Sequence, residues 1–230
     1  MIEFRDASVV VDTPDGDLTV LAPTTLSLAE QRIGVIGSNG SGKSTLARLI
    51  NGLVSPSSGQ VLVDGRDVAD DGREVRRHVG FVFTQPDAQL VMPTVIEDVM
   101  LSLRRHVKDK AARRAQALEV LATIGLADKA DVTVHALSGG QKQLLALAGV
   151  LATDPDVVVA DEPTTLLDLR NTIAVADRLF SMRQQLVLVS HDLELMDRCD
   201  RVLVVDSAQV VFDGAPAAAI DHYRGLVSSS

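Results

Sequence analysis

The chain has 230 residues, of which 46% are hydrophobic, and its formal net charge is −9 at pH 7. This length suits one large α/β domain and is short for two. The acidic charge argues against a protein that coats nucleic acid or an anionic lipid surface. No run of about 18 apolar residues predicts a membrane-spanning helix, and residues 1–6 lack the features of a secretion signal. The one cysteine, Cys199, excludes an internal disulfide and fits a reducing cytosol.

The first sixty or so residues predict a small antiparallel sheet. Residues 4–11, 18–28 and 60–63 are rich in strand-forming side chains, and turn-forming residues interrupt them at 14–16 and 64–65. We expect this sheet to flank the main core.

From residue 33 onward, short apolar runs alternate with helical stretches. Such runs are typical of strands buried on both faces, and they comprise residues 33–36, 79–83, 157–160, 186–189 and 202–205. This alternation predicts a mostly parallel sheet flanked by helices, with right-handed crossovers. The predicted fold class is therefore α/β.

Residues 86–150 are mostly helical in pattern, and the segment 108–124 is rich in alanine and amphipathic. We expect a helical subdomain inserted into a single domain that spans residues 1–230. The basic pairs Arg76–Arg77 and Arg104–Arg105 leave a local cationic patch open, although such pairs more often form a solvated face. The serine tail at 228–230 is expected to be frayed.

Residues 37–45 match the phosphate-binding loop pattern, with a strand before it and a helix after it. Glycines let backbone N–H groups approach the phosphates, and the helix N-terminus adds a positive dipole end. Lys43 is expected to reach the terminal phosphates of ATP, and Ser44 to ligate Mg²⁺. The predicted nucleotide-binding residues of this loop are Ser38, Asn39, Gly40, Ser41, Gly42, Lys43, Ser44 and Thr45.

Two further strand ends carry candidate catalytic residues. Asp161 and Glu162 follow an apolar run, which predicts Asp161 as a metal ligand and Glu162 as the residue that orients or deprotonates water. Such an acidic pair can otherwise cap a following helix. His191 follows another apolar run, and a histidine there is otherwise most often a packing or capping residue.

Taken with these motifs, Ser138, Gly139, Gly140 and Gln141 make the chain resemble ATP-binding cassette ATPases, here a P-loop NTPase fold. The resemblance spans about residues 2–217. It implies that these four residues, which we name the signature segment, reach the γ-phosphate bound by a second subunit. It also implies that His191 is the switch residue that contacts the γ-phosphate, and that residues 165–168 contact the partner.

The chain departs from the family pattern at two places. An aromatic side chain usually stacks on adenine where this chain has Val10 or Val11, so we expect an apolar and weaker base contact. A glutamine usually sits two residues before Pro86, where this chain has Thr84. Gln85 is therefore predicted to take the metal and water contact, or neither residue makes it well.

Residues 85–99 resemble the energy-coupling factor type of importer, most closely the biotin transporter ATPases. In that type, this stretch borders a groove that receives a helix of the membrane-embedded coupling protein. The resemblance implies a homodimer, a coupling protein and a substrate-binding membrane subunit as partners, at the cytoplasmic face of the membrane and without nucleic acid. Alternatives are a cobalt or nickel importer, a DNA-repair or ribosome-associated ATPase, and a nucleotide-binding module without turnover.

Overall fold

The computed structural model describes residues 1–228, so Ser229 and Ser230 of the serine tail lie outside the described residues. Its strands, in chain order, are β1 (Ile2–Thr13), β2 (Gly16–Leu28), β3 (Arg32–Ile36), β4 (Ser58–Val63), β5 (Arg66–Asp67), β6 (Val79–Val82), β7 (Val157–Asp161), β8 (Gln185–Val189), β9 (Arg201–Asp206) and β10 (Gln209–Gly214). Its α-helices are α1 (Lys43–Asn51), α2 (Gly72–His78), α3 (Val95–Leu103), α4 (Lys110–Thr123), α5 (Gly139–Leu151), α6 (Leu169–Ser181), α7 (Leu193–Asp197) and α8 (Pro216–Ser228).

Two sheets form the body of the molecule. In the smaller sheet the strand order is β2-β1-β4-β5, and every pair is antiparallel. In the larger sheet the order is β10-β9-β3-β8-β7-β6, with all neighbours parallel except the edge pair β10–β9. The predicted flanking antiparallel sheet and mostly parallel core are both confirmed.

Strand β7 explains why the central strands have unbroken apolar runs. Val157 and Val159 pack into the core beneath the antiparallel sheet and α1. Val158 and Ala160 pack into the core on the opposite face, which includes residues of α5 to α8. Because successive side chains of a strand point to opposite faces, a strand covered on both sides needs an apolar residue at every position.

A separate hydrophobic cluster holds the helices between β6 and β7 together. Its buried residues include Ile96 and Leu103 of α3, Leu121 of α4 and Leu145 of α5. Helix α5 therefore reaches both this cluster and the main core, where Leu147 packs. Within residues 1–228, no helix is long and apolar enough to cross a bilayer.

Candidate active site

The candidate site lies where four neighbouring parallel strands end. The order β3-β8-β7-β6 brings four loops to the same edge of the sheet, because parallel strands share their carboxyl ends. The phosphate-binding loop follows β3, His191 follows β8, Glu162 follows β7 and Thr84 follows β6. Residues that are more than a hundred positions apart in the chain are thereby collected into one region.

The phosphate-binding loop requires glycine at two close approaches. A Cβ atom on Gly37 would collide with the carbonyl oxygen of Val205 in β9. Gly42 has a φ of +106°, and a Cβ there would lie 2.5 Å from the carbonyl oxygen of Val20 in β2. Since both neighbours are backbone atoms, the loop is wedged between the two sheets and cannot accept a side chain at either position.

Lys43 lies at the start of α1 and is almost completely buried, with 5% of its surface exposed. Its ammonium group donates a hydrogen bond to the carbonyl oxygen of Ser38, 3.1 Å away. The N-terminus of α1 and this ammonium group together favour an anion at the loop. Of the other predicted residues, Ser38, Asn39 and Gly40 are exposed, Ser44 and Thr45 are partly buried, and Ser41 is buried.

Ser44 and Asp161 form the candidate metal site. The Ser44 hydroxyl donates to Oδ1 of Asp161 at 2.9 Å, and the Arg48 guanidinium lies 3.5 Å from Oδ2. Burial raises the pKa of Asp161, against the lowering effect of Ser44 and Arg48. The described residues contain no cluster of three or more acidic, histidine or cysteine ligands. One hydroxyl and one carboxylate still fit Mg²⁺, which usually takes few protein oxygens and completes its shell with phosphate and water.

Glu162 is held by two side chains. Its Oε2 accepts a hydrogen bond from the Thr165 hydroxyl at 2.7 Å and lies 2.9 Å from Nδ1 of His191. The Glu162 backbone has a φ of +50°, and its N–H donates to the carbonyl of Val189 at the end of β8. The Glu162 carboxylate is therefore fixed beside the loop that carries His191, the arrangement expected of a base and its orienting partner.

The loop after β6 carries Thr84 and Gln85, the two residues considered for the metal and water contact. Gln85 is exposed and makes no side-chain capping bond at the short 3₁₀ turn that follows it. The Thr84 hydroxyl instead donates to the carbonyl oxygen of Asp161 at 2.8 Å. In this structure Thr84 is thus the residue that ties the loop to the metal site, and the role of Gln85 toward metal and water stays a prediction.

The signature segment lies at the start of α5. Ser138 and Gln141 form a reciprocal capping box: the Ser138 hydroxyl accepts from the Gln141 N–H at 3.3 Å, and the Gln141 side-chain oxygen accepts from the Ser138 N–H at 3.1 Å. Ser138 and Gly139 are exposed, whereas Gly140 is buried. The capping box thus satisfies backbone N–H groups at the helix start, and Ser138 and Gly139 remain exposed.

Gly140 joins the signature segment to α6. A Cβ on Gly140 would overlap the amide group of Asn171. Asp168, the N-cap of α6, holds that amide at 3.0 Å and accepts the Asn171 N–H at 2.9 Å. Asn171 was not predicted as a site residue, although it lies three residues after Asp168, which is the spacing between an N-cap and its backbone N–H partner.

More than half of the chain matches a known protein family. Residues 23–165 match the family described as ABC transporter. The chain belongs to this family. As an ATP-binding domain of the ABC transporter family, it is an ATPase.

Several curated relatives of this ABC transporter family member cover most of its length. A putative ABC transporter ATP-binding protein of Deinococcus radiodurans is 49% identical, over 97% of this chain and 97% of the relative. The biotin transport ATP-binding protein BioM of Rhizobium etli is 42% identical over 99% of both chains. The energy-coupling factor transporter ATP-binding protein EcfA1 of Halalkalibacterium halodurans is 38% identical, over 84% of this chain and 72% of the relative.

Solved structures share the fold. A dimeric ATP-binding cassette in a post-hydrolysis state, bound to ADP and Pi, has a TM-score of 0.84 and 28% identity, over 94% of this chain and 99% of that chain. CbiO1 from Clostridium perfringens, part of the ABC transporter complex CbiONQ, has a TM-score of 0.82 and 28% identity, over 99% of this chain and 93% of that chain. The predicted P-loop NTPase fold and ATPase activity are thereby confirmed.

Proposed function

We propose that the chain is the ATP-hydrolysing motor of an energy-coupling factor type importer and works as a head-to-tail homodimer at the cytoplasmic face of a membrane. One observation carries the proposal: the chain has both halves of a composite site. Lys43, Asp161 and Glu162 lie at the carboxyl ends of the strands, while Ser138 and Gly139 are exposed at the start of a separate helix. Two copies related by a two-fold axis could complete two sites.

The residues of one copy divide the chemistry between them. The Lys43 ammonium and the N-terminus of α1 neutralise the terminal phosphates. Mg²⁺, when bound by Ser44 and Asp161, supplies charge stabilisation at the phosphate oxygens. The Glu162 carboxylate accepts a proton from the attacking water, and His191, held 2.9 Å from it, keeps that carboxylate aligned.

The second copy would contribute the signature segment. The capping box fixes the N-terminus of α5 with two hydrogen bonds, and the exposed Ser138 and Gly139 are free to approach the γ-phosphate. Donors that are already fixed stabilise developing charge without reorganising during the reaction. Closure of the dimer would thus be required for turnover, and hydrolysis would weaken it.

A cleft beside the site supports docking onto a membrane coupling protein. It has a volume of about 260 Å³ and lies between β6 and the helices α3 and α5. Phe81, Val91 and Leu101 contribute apolar surface to it, and 68% of Val91 and 40% of Leu101 is exposed. Exposed apolar side chains around a cleft favour a helix of a partner as occupant. We name this region the docking cleft.

The docking cleft is linked to the ATP site by hydrogen bonds of one loop. Gln89 lines the cleft and donates to the carbonyl of Ala146 in α5 at 3.3 Å. Gln143 of α5 donates to the carbonyl of Phe83 at 3.1 Å, next to the Thr84 contact with Asp161. A displacement in the cleft would therefore reach both the metal site and the signature helix.

We further propose biotin as the transported solute, which the 42% identity to BioM supports. The test is purification of the chain together with its membrane partners, followed by binding of labelled biotin, Co²⁺ or Ni²⁺ to the complex. Retention of biotin supports the proposal, whereas retention of Co²⁺ or Ni²⁺ would show that the transported solute is that metal ion and not biotin. Failure to recover any membrane protein would overturn the importer assignment.

The motor itself is tested with Glu162→Gln. This variant is expected to bind ATP, to run as a closed dimer on a sizing column with ATP, and to lose turnover. The matched control, Glu119→Gln on the exposed side of α4, should keep both the elution of the wild-type chain and its turnover. A Glu162→Gln chain that stays monomeric with ATP would contradict the head-to-tail scheme.

A further inference from the structure

One segment of the helical region has a charge opposite to that of the rest of the chain. Residues 104–114 contain six Lys or Arg side chains and one Asp, a formal charge of +5. Since the whole chain has a net charge of −9, the remaining residues sum to −14. We name residues 104–114 the cationic segment.

Most of these cations have no partner within the described chain. Arg114 pairs with both carboxylate oxygens of Asp131 at 3.0 Å, and Arg113 donates to the carbonyl of Val107. The acid of the segment, Asp109, caps α4 by accepting from the Ala112 N–H. Across residues 1–228, no ion pair or side-chain hydrogen bond involves the exposed Arg104, Arg105, Lys108 or Lys110.

The cationic segment is continuous with the docking cleft. It connects α3 to α4, and Arg104 and Arg113 line a shallow groove together with three apolar side chains and one acid: Met92, Met100, Leu101 and Glu97. Leu101 also lines the docking cleft. Apolar and cationic side chains therefore follow one another along one side of the helical subdomain.

We infer that the cationic segment contacts the phosphates of anionic phospholipids beside the membrane partner; this inference rests on the proposed function. Arg104, Arg105, Lys108 and Lys110 are exposed and unpaired in the described part of the chain, and they follow the chain rather than converging on one buried pocket, so they suit a diffuse anionic surface. The cytoplasmic leaflet carries such a negative surface potential. The acidic remainder of the chain is repelled by the same surface, so the two charges together orient the docking cleft toward the membrane.

The inference is tested by flotation of the full chain with vesicles that contain no protein. One set is made of phosphatidylcholine alone, and the other contains about 30% phosphatidylglycerol to supply anionic phosphate. We expect binding to the anionic set only, with loss of that binding when NaCl is raised from about 50 mM to about 500 mM, because salt screens exposed charges. Equal binding to both sets, or to neither, would overturn the inference.

Matched variants separate this segment from general charge effects. Each cation close to an anionic surface contributes roughly a fivefold factor to partitioning, so Arg104→Glu with Arg105→Glu should weaken vesicle binding at least about tenfold. Arg73→Glu with Arg224→Glu makes the same charge change at exposed sites elsewhere and should lose less than about threefold. An equal loss in both double variants would show that only net charge matters, and would overturn the inference.

Folding and partner docking are checked independently. Arg104→Gln with Arg105→Gln keeps hydrogen-bonding side chains and should retain the wild-type melting temperature while vesicle binding falls. A second outcome would favour a protein partner. If the wild-type chain never binds vesicles, and Arg104→Glu with Arg105→Glu abolishes co-purification with the membrane protein in lipid-free detergent, then an acidic protein surface is the partner. The lipid inference would then be wrong. Failure of the proposed function is distinguishable, because no membrane protein would then co-purify with any variant.

Discussion

Nδ1 of His191 lies 2.9 Å from Oε2 of Glu162, and this contact joins the ends of β8 and β7. An ionised carboxylate can accept a hydrogen bond but cannot donate one, so with an ionised Glu162 the imidazole donates from Nδ1. Its other nitrogen, Nε2, is then available to the nucleotide. In the proposed mechanism, His191 would connect the γ-phosphate of ATP with Glu162, the proposed base.

Replacing His191 by alanine is expected to lower kcat about 10²- to 10³-fold while ATP still binds, because the Glu162 carboxylate loses one of its two partners. Steady-state ATPase assays on the complex with the membrane partner measure kcat, and nucleotide binding is titrated separately. His78→Ala removes a surface pair with Asp156 and should leave kcat unchanged. Wild-type turnover in His191→Ala would exclude the switch role.

Asp161→Asn is expected to stabilise the empty protein and to abolish Mg²⁺-dependent turnover. Burial raises the pKa of Asp161, so the folded state binds this proton more readily than the unfolded chain does. The ionised carboxylate then lowers the free energy of unfolding as pH rises through the folded-state pKa. Melting temperatures without Mg²⁺ should show a larger gain for Asp161→Asn at pH 7 than at about pH 4, close to the ordinary pKa of an aspartate, whereas the exposed Asp15→Asn should show no such difference.

Gly140→Ala should destabilise the fold by about 1–3 kcal/mol, because the new methyl group forces the Asn171 amide away from Asp168. Gly139→Ala is the matched control: its Cβ would lie 4.0 Å from the Leu167 side chain, an ordinary contact. Urea denaturation measures both variants. Equal stability of the two would contradict the close packing between α5 and α6.

The adenine contact can be located with two tyrosine variants. Val10 and Val11 are 38% and 46% exposed and pair with Thr19 and Leu18 across the β1–β2 hairpin. Neighbouring strand residues face opposite sides, so Val10→Tyr or Val11→Tyr, and not both, should tighten ATP binding about 3- to 10-fold through stacking. Fluorescent-nucleotide titration measures the affinities. If neither variant binds ATP more tightly, the base lies elsewhere.

The fold could be predicted because its main signals are local. A central strand such as β7 needs an apolar residue at each position, and a phosphate-binding loop needs glycine where backbones meet, as at Gly37 and Gly42. Contacts between segments that are distant in the chain are harder to predict from the sequence. Arg48 lies one helical turn after Ser44, so both reach Asp161 from the same side of α1, and the sequence had not singled out Arg48.

The loop after β6 shows why other contacts were not predicted. The family resemblance puts the usual glutamine at the place of Thr84, so the predicted metal contact fell to the neighbouring Gln85. The backbone instead directs Thr84 toward the Asp161 carbonyl, and the amides of Gln89 and Gln143 hold the loop. Whether Thr84 or Gln85 contacts Asp161 depends on how the loop packs on α5, which no local sequence pattern records.

The packing of Gly140 on Asn171, with Asp168 holding that amide, has a consequence for assembly. The two surfaces by which one copy would touch another, the signature segment and residues 165–168, are braced against each other before any encounter. A second copy would therefore bind a preorganised surface, and association would cost little conformational entropy. Nucleotide, rather than slow rearrangement within each copy, would then set when the two halves come together.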